Sequence, residues 1–218
     1  MGNLRMHKSC FITFEGIEGA GKSTIIQTIF TYLVAQKFDV IKTREPGGTE
    51  VAEAIRRMLL AYYEERIAED TELLLMFAAR AQHIDCVIKP ALQKQQIILC
   101  DRFTDASFAY QGGGRGINCT RITELENWVQ GDLQPDFTIL LDLPVEVGLE
   151  RAQTRDNNLD RIGAEEVEFF QRVRDAYLLR AQNSPERFFI FNVNCSLVEV
   201  ENKIMDFFIN KICPKILN

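Results

Sequence analysis

At 218 residues, with 46% hydrophobic and 26% charged side chains, the chain has the make-up of one globular α/β domain, or one plus a small lid. Its net charge of -6 argues against a general nucleic-acid binder or an anionic-membrane binder, so an anionic ligand has to be met by a local cluster of basic side chains. The six cysteines are scattered without a C-x-x-C pair and two histidines are too few for the usual His/Cys metal centre, which points to small buried thiols in a reducing, cytoplasmic setting. No stretch reads as a signal peptide or a membrane span, and Met6 stands where N-myristoylation wants Ser or Thr.

Residues 1 to 9 are polar and read as a loose lead-in. An apolar, β-favouring run from Cys10 to Phe14 follows and breaks at Gly16. Gly16 to Ser23 then spells G-x-x-x-x-G-K-S, between that strand and a helix carrying Ile25, Ile26, Ile29, Phe30 and Leu33 on one face. The residue types suit a triphosphate. Glycines let successive N–H groups point inward at phosphate oxygens, and the helix N-terminus adds donors and partial positive charge. Lys22 reaches the β/γ-phosphates and Ser23 offers a hydroxyl to Mg²⁺. The plainer alternative, a glycine-rich turn that only caps a helix, does not require the full spacing.

Asp39 to Thr43 reads as a second strand, ending in Arg44-Glu45-Pro46-Gly47-Gly48, a tight turn after which Thr49 caps a helix to about Leu60. A long helix runs from about Asp70 to Val87, and Pro90 forces a kink or a fresh start. Ile97 to Cys100 is apolar throughout, as a strand covered on both faces should be, and it delivers Asp101-Arg102. Phe103 to Gly116 ends in a glycine-rich loop at Gly112-Gly113-Gly114-Arg115-Gly116, and residues 120 to 130 look helical. Phe137 to Leu141 is a fourth strand ending at Asp142. A helix from Val145 to Arg155 meets an Asp156-Asn157-Asn158 break, and another starts near Ala164. Phe188 to Val193 is a fifth strand, and Leu197 to Ile212 a last amphipathic helix.

Strands alternating with helices predict a parallel sheet, whose ligands sit beyond the carboxyl ends of the strands. The glycine loop, Arg44-Glu45, Asp101-Arg102 and Asp142 all fall at such ends, on one crevice. Asp101 is placed to hold Mg²⁺ and is preferred to Asp142 because Arg102 beside it adds an anion contact; a plain strand-end cap is the alternative. Two guanidinium forks, Arg44 and Arg102, suggest a second phosphorylated molecule, unless they pair with neighbouring acids. Glu18, inside the cradle, is tolerable if it points away from the triphosphate toward hydroxyls of an acceptor. Met76 or Phe77 shares a helix face with Arg80 and can sandwich a nucleobase, although an aromatic at that spacing is more often core. Arg151, Arg155 and Arg161 bracket a segment that can fold over a transferring phosphate, or form a solvated basic face.

Taken together, Glu15-Gly16-Ile17-Glu18-Gly19-Ala20-Gly21-Lys22-Ser23-Thr24, Thr43-Arg44-Glu45-Pro46-Gly47-Gly48-Thr49, Asp101-Arg102-Phe103, the run Ala109 to Gly116 and Leu159-Asp160-Arg161-Ile162 resemble bacterial thymidylate kinases over nearly the whole chain. The resemblance implies a three-layer P-loop α/β fold: a five-stranded parallel sheet in order 2-3-1-4-5, flanked by helices, with residues 1–218 one nucleoside monophosphate kinase domain and a lid over about 151–163. It implies transfer of the γ-phosphoryl of MgATP to dTMP, and a cytoplasmic homodimer packed through helices. ATP is expected on Gly16, Ile17, Glu18, Gly19, Ala20, Gly21, Lys22, Ser23 and Thr24, and Mg²⁺ near Ser23, Asp101 and Glu45. dTMP is expected on Glu18 (deoxyribose 3′-hydroxyl), Arg44 and Arg102 (phosphate), Phe77 (base stacking, with Met76 the alternative), Arg80 (thymine carbonyl), Ser107, Tyr110 (crowding the 2′ position) and Gln111. Lys22, Arg102 and Arg155 form the catalytic set, with Arg151, Arg155 and Arg161 in the lid. Gly19 stands where another branch of the family carries Arg, so catalytic charge is expected from the lid.

Rival readings differ in what they require. A kinase for another nucleoside monophosphate keeps every motif. A nucleotide-gated switch wants a guanine-selecting N-K-x-D, which Asn202-Lys203-Ile204-Met205 does not supply. A structural ATP-binding module has no use for paired arginines and a lid.

Overall fold

The computed structural model describes residues 6–155 and 160–217, with Arg155 described by its backbone alone. The first strand, β1 (Cys10–Glu15), is buried along its whole length, and the phosphate loop leads from it into α1 (Lys22–Ala35). The edge strand β2 (Val40–Arg44) is half-exposed. α2 (Glu50–Leu60) follows, capped as expected by Thr49, whose hydroxyl accepts from the Ala52 amide.

α3 (Glu69–His83) passes through a π-helical turn (Ile84–Ile88) into α4 (Lys89–Gln93) without a break. Pro90 stands at the start of α4, where its fixed φ suits a helix and its missing N–H matters least. β3 (Ile97–Asp101) delivers Asp101-Arg102 as expected. The next stretch corrects the expected glycine-rich loop: α5 (Thr104–Ser107) runs on as a π-helix over Phe108–Gly114. Here the glycines serve close packing. A Cβ on Gly113 would lie 2.7 Å from Ala176 Cβ, and one on Gly114 2.4 Å from the Phe169 ring.

α6 (Cys119–Gln130), β4 (Phe137–Asp142) and α7 (Val145–Arg155) come next. α8 (Val167–Asn183) begins three residues later than Ala164 predicts, and its partner across the packing just described is the π-helical segment. β5 (Phe188–Asn192) is the other edge, and α9 (Leu197–Phe207) continues through a π-helical turn (Phe208–Ile212) into α10 (Cys213–Leu217).

The described strands form one parallel sheet in the order β2-β3-β1-β4-β5. The central strands are apolar on both faces because helices cover both. Register sets the strand ends side by side: Phe14 and Arg44 both pair with Asp101, and Asp142 pairs with Asn192. That row is the floor of the crevice. Among the described residues no helix is long and apolar enough to cross a membrane.

Candidate active site

The phosphate loop is held by two approaches that only glycine permits. Gly16 has φ 133° and Gly19 φ 71°, and a Cβ would fall 2.3 Å from the Leu141 carbonyl oxygen at the first and 2.0 Å from that of Gly148 at the second. α1 opens with Gly21 in the left-handed region and no side-chain cap, so its first amides stay directed into the loop. Lys22 curls back over the cradle, donating from Nζ to the carbonyls of Gly16 (2.9 Å) and Ile17 (3.0 Å). Burial, helped by the nearby Arg102 charge, lowers its pKa from 10.5 to about 8. Ser23 and Thr24 are exposed on the first turn.

Behind the cradle lies a cavity walled by Glu18, Arg56, Met76, Arg80, Arg102, Ser107, Tyr110 and Gln111, among others. Arg102 joins the two compartments. Its Nη1 donates to the Gly16 carbonyl (2.9 Å) and to Tyr177 Oη (3.1 Å), and its Nη2 donates to Glu18 Oε1 (2.9 Å). The residue adopts φ 68°, a left-handed conformation that a bulky side chain holds only when its surroundings enforce it. Glu18 accepts also from the Tyr110 hydroxyl (2.7 Å), so its carboxylate faces the cavity and away from the cradle. Tyr177 in turn donates to Glu15 Oε2 (2.7 Å), while Phe103 N donates to Glu15 Oε1 (2.7 Å). Burial, with the nearby Asp105, pushes the Glu15 carboxyl up to about 8.

Arg80 is buried in the cavity wall. Nε donates to Glu45 Oε2 (2.7 Å), Nη2 to Ser107 Oγ (2.9 Å) and the Phe103 carbonyl (3.2 Å), and Nη1 is a buried donor without a protein partner. Gln111 donates to Glu72 Oε1 (2.9 Å). At the end of β3, Asp101 Oδ1 is likewise buried without a partner. Such an oxygen suits a hard cation, and Mg²⁺ bound with a nucleotide needs only one or two carboxylates from protein. No cluster of three or more His, Cys, Asp or Glu that could hold a metal is found among the described residues. Asp142 is taken by Arg174, at 2.6 and 2.9 Å.

Four of the expected site residues are engaged elsewhere in this structure. Phe77 does not face the cavity: it is 2% exposed, packs with Leu73, Phe108, Ile117 and Ile122, and leaves Met76 at the wall. Glu45 is not open to a metal, because Arg80 takes one oxygen and His83 Nδ1 the other (2.9 Å). Arg44 does not line the cavity and forks onto Glu53, at 2.9 and 3.1 Å. Arg161, expected in the lid, donates to Glu72 Oε2 (2.7 Å) and the Leu59 carbonyl (3.0 Å). Three of these are decided by partners distant in sequence, and Arg44 by Glu53 across the turn that follows it. Arg151 lies on the outer side of the cradle, donating to the Val193 carbonyl (3.2 Å) and lining a groove with Gly19, Ala20 and Gly21. The Arg155 side chain and Asp156, Asn157, Asn158 and Leu159 lie outside the described residues.

Sequence reasoning passed over Arg56, which lines the cavity and has its pKa lowered by burial, and Glu72, which gathers Gln111, Arg115 and Arg161. A signal was there for the second. Glu72, Arg80 and His83 fall at helical spacing on one face of the helix, polar positions that the surrounding Leu73, Phe77 and Ala79 leave in need of partners.

A family model described as thymidylate kinase matches residues 14–204. A thymidylate kinase from Pseudomonas entomophila is 56% identical over 194 residues, covering 89% of this chain and 92% of its own. One from Pseudomonas syringae pv. tomato is 52% identical over 207 residues, covering 95% and 96%. The crystal structure of thymidylate kinase from Ehrlichia chaffeensis superposes with a TM-score of 0.74 at 33% identity, covering 92% of this chain and 99% of that one.

Proposed function

The chain belongs to the thymidylate kinase family, and on that premise we propose how its residues share the work of moving a phosphoryl group from ATP to dTMP. The enzyme phosphorylates dTMP to dTDP, a step in dTTP synthesis. In this reading ATP lies on the cradle from Gly16 to Thr24, with Lys22 leaving its two carbonyls for the β/γ-phosphates, and Arg151 beside the donor. Mg²⁺ arriving with ATP would be held by Asp101 and the Ser23 hydroxyl, and when bound it offsets the charge of the β- and γ-phosphates.

dTMP occupies the cavity. Its phosphate meets Arg102 and Arg56, its sugar meets Glu18 and Tyr110, and its base lies against Met76 with Arg80 Nη1 donating to a carbonyl and Ser107 and Gln111 near the edge. No general base is needed, because the attacking phosphate oxygen is already ionised. Alignment and charge neutralisation are the protein's contributions, completed by Arg155 when the lid over about 151–163 closes. Residues 1–218 act as one nucleoside monophosphate kinase domain.

The observation that carries this reading is Arg102, hydrogen-bonded at once to the donor cradle through Gly16 and to the acceptor wall through Glu18. The experiment is ADP release from MgATP with each deoxynucleoside monophosphate offered in turn. Turnover should depend on the acceptor and be fastest with dTMP; ATP hydrolysis indifferent to every acceptor overturns it. The enzyme is read as a cytoplasmic homodimer, and the association is supported by an apolar surface shared by α3 and α6, where Leu74 is 55% and Trp128 82% exposed.

A further inference from the structure

His83 is fully buried at the end of α3 and does not itself line the cavity, yet it touches Glu45 in the wall and, through Glu45, holds Arg80. Its Nδ1 is 2.9 Å from Glu45 Oε1, and its Nε2 is 2.6 Å from Thr43 Oγ1. A carboxylate facing a buried guanidinium only accepts, so Nδ1 donates its proton to Glu45, while Nε2 and the Thr43 hydroxyl share the second hydrogen bond. Room for this pair is made by Gly48, where a Cβ would lie 2.7 Å from both His83 Cδ2 and Thr43 Oγ1.

The consequence lies in how Glu45 holds Arg80. A carboxylate with both oxygens free grips a guanidinium side-on, through Nε and Nη2 together. Here Oε1 is taken by His83, so Glu45 holds Nε alone through Oε2, and Nη2 stays with Ser107 and the Phe103 carbonyl. That orientation leaves Nη1 as the donor without a partner in the cavity wall.

We infer that His83 and Thr43 are positioning residues for the acceptor base: by occupying Glu45 Oε1 they prevent the side-on grip and keep Arg80 Nη1 directed at the nucleotide. This rests on the reading that Arg80 meets a carbonyl of the base. Removing the imidazole frees Oε1, lets Glu45 pull Nη2 from Ser107, and turns Nη1 out of line.

The test uses the full chain and compares His83→Leu, His83→Asn, Thr43→Val and Arg80→Lys. KM for dTMP, KM for ATP, kcat, and the preference for dTMP over dCMP, which has an amino group in place of the 4-carbonyl and lacks the methyl group and the N3 proton, are measured beside a thermal melt. His83→Leu should raise KM for dTMP and narrow that preference by about tenfold, the scale of one hydrogen bond to a charged group, with KM for ATP unmoved. His83→Asn, which can present an amide N–H near the Nδ1 position, should recover most of the loss, and Thr43→Val should give a smaller shift in the same direction. A purely structural role would lower the melting temperature and leave the base preference alone. Folded His83 and Thr43 variants with unchanged preference overturn the inference, as does an equal rise in both KM values; should His83→Leu fail to fold, the other two variants decide. Arg80→Lys with normal KM and preference overturns the underlying base contact, whereas a change in Arg80→Lys alone overturns only the role of His83 and Thr43.

Discussion

Lys22 carries a shifted charge in the donor compartment, and the direction of its shift has a kinetic consequence. In the free enzyme its pKa is lowered from 10.5 to about 8, chiefly by burial and then by Arg102. As pH rises through that value the free enzyme loses the charge that attracts the triphosphate, so kcat/KM for ATP should fall with a midpoint near 8. A bound triphosphate favours the charged amine, so the fall in kcat at saturating ATP should lie at higher pH. Lys22→Ala should reduce kcat by about 10² to 10³, the usual loss for one donor to transition-state charge, and should abolish the limb in kcat/KM. Because Glu15 is pushed up to about 8 as well, a limb that survives in Lys22→Ala belongs to Glu15. The positions of Lys22 and Arg102 were legible in the sequence, because the phosphate-loop spacing fixes the first at the start of α1 and a strand end fixes the second. Glu45, Arg44 and Arg161 were not: each is held by a partner tens of residues away or across a turn, and motif spacing carries no information about that partner. Phe77 and Met76 are adjacent on α3, and only the packing of Phe77 against Phe108 and Ile122 decides which of them faces the nucleotide.

The helix-forming stretches and the strands could be read from periodicity, because parallel strands buried on both faces leave apolar runs and covering helices leave one apolar face. The segment after α5 escaped that reading. Glycine triplets signal a turn by their conformational freedom, whereas here glycines let a π-helix lie against α8 at a distance no side chain permits. Gly114→Ala separates the two explanations. A loop would tolerate the methyl group, but here it meets Phe169, whose ring stands edge-on to Tyr110 with centroids 6.1 Å apart. The variant should lose about 1–3 kcal/mol by overpacking, read from urea unfolding, and should raise KM for dTMP because Tyr110, in the cavity wall, is one of the neighbours Phe169 would press on. The Thr49 cap gives a milder case at the same level. Thr49→Ala should cost about 1 kcal/mol in the same assay, since α2 would lose the acceptor for the Ala52 amide.

For the molecule as a whole, α3 connects the acceptor cavity to the outer surface. Met76 and Arg80 face the cavity, Leu73 and Phe77 face the core, and Leu74 faces out beside Trp128 of α6 in a shallow groove rimmed by Asp70, Arg121 and Glu124. An indole 82% exposed beside a leucine 55% exposed is an arrangement that association relieves, and a charged rim around apolar anchors is how such faces select a partner. If a second copy covers this groove, α3 is clamped from both sides, and the orientation of Arg80 depends in part on the assembly. Trp128→Glu places a carboxylate at the centre of the groove without touching the cavity, so it should shift the protein to monomer in light scattering coupled to gel filtration. Its KM for dTMP should then rise more than its KM for ATP, because α3 borders the acceptor compartment while the donor cradle hangs from β1 and α1. A Trp128→Glu protein that stays dimeric would place the interface elsewhere, and a monomer with unaltered KM for dTMP would show that α3 is rigid enough alone.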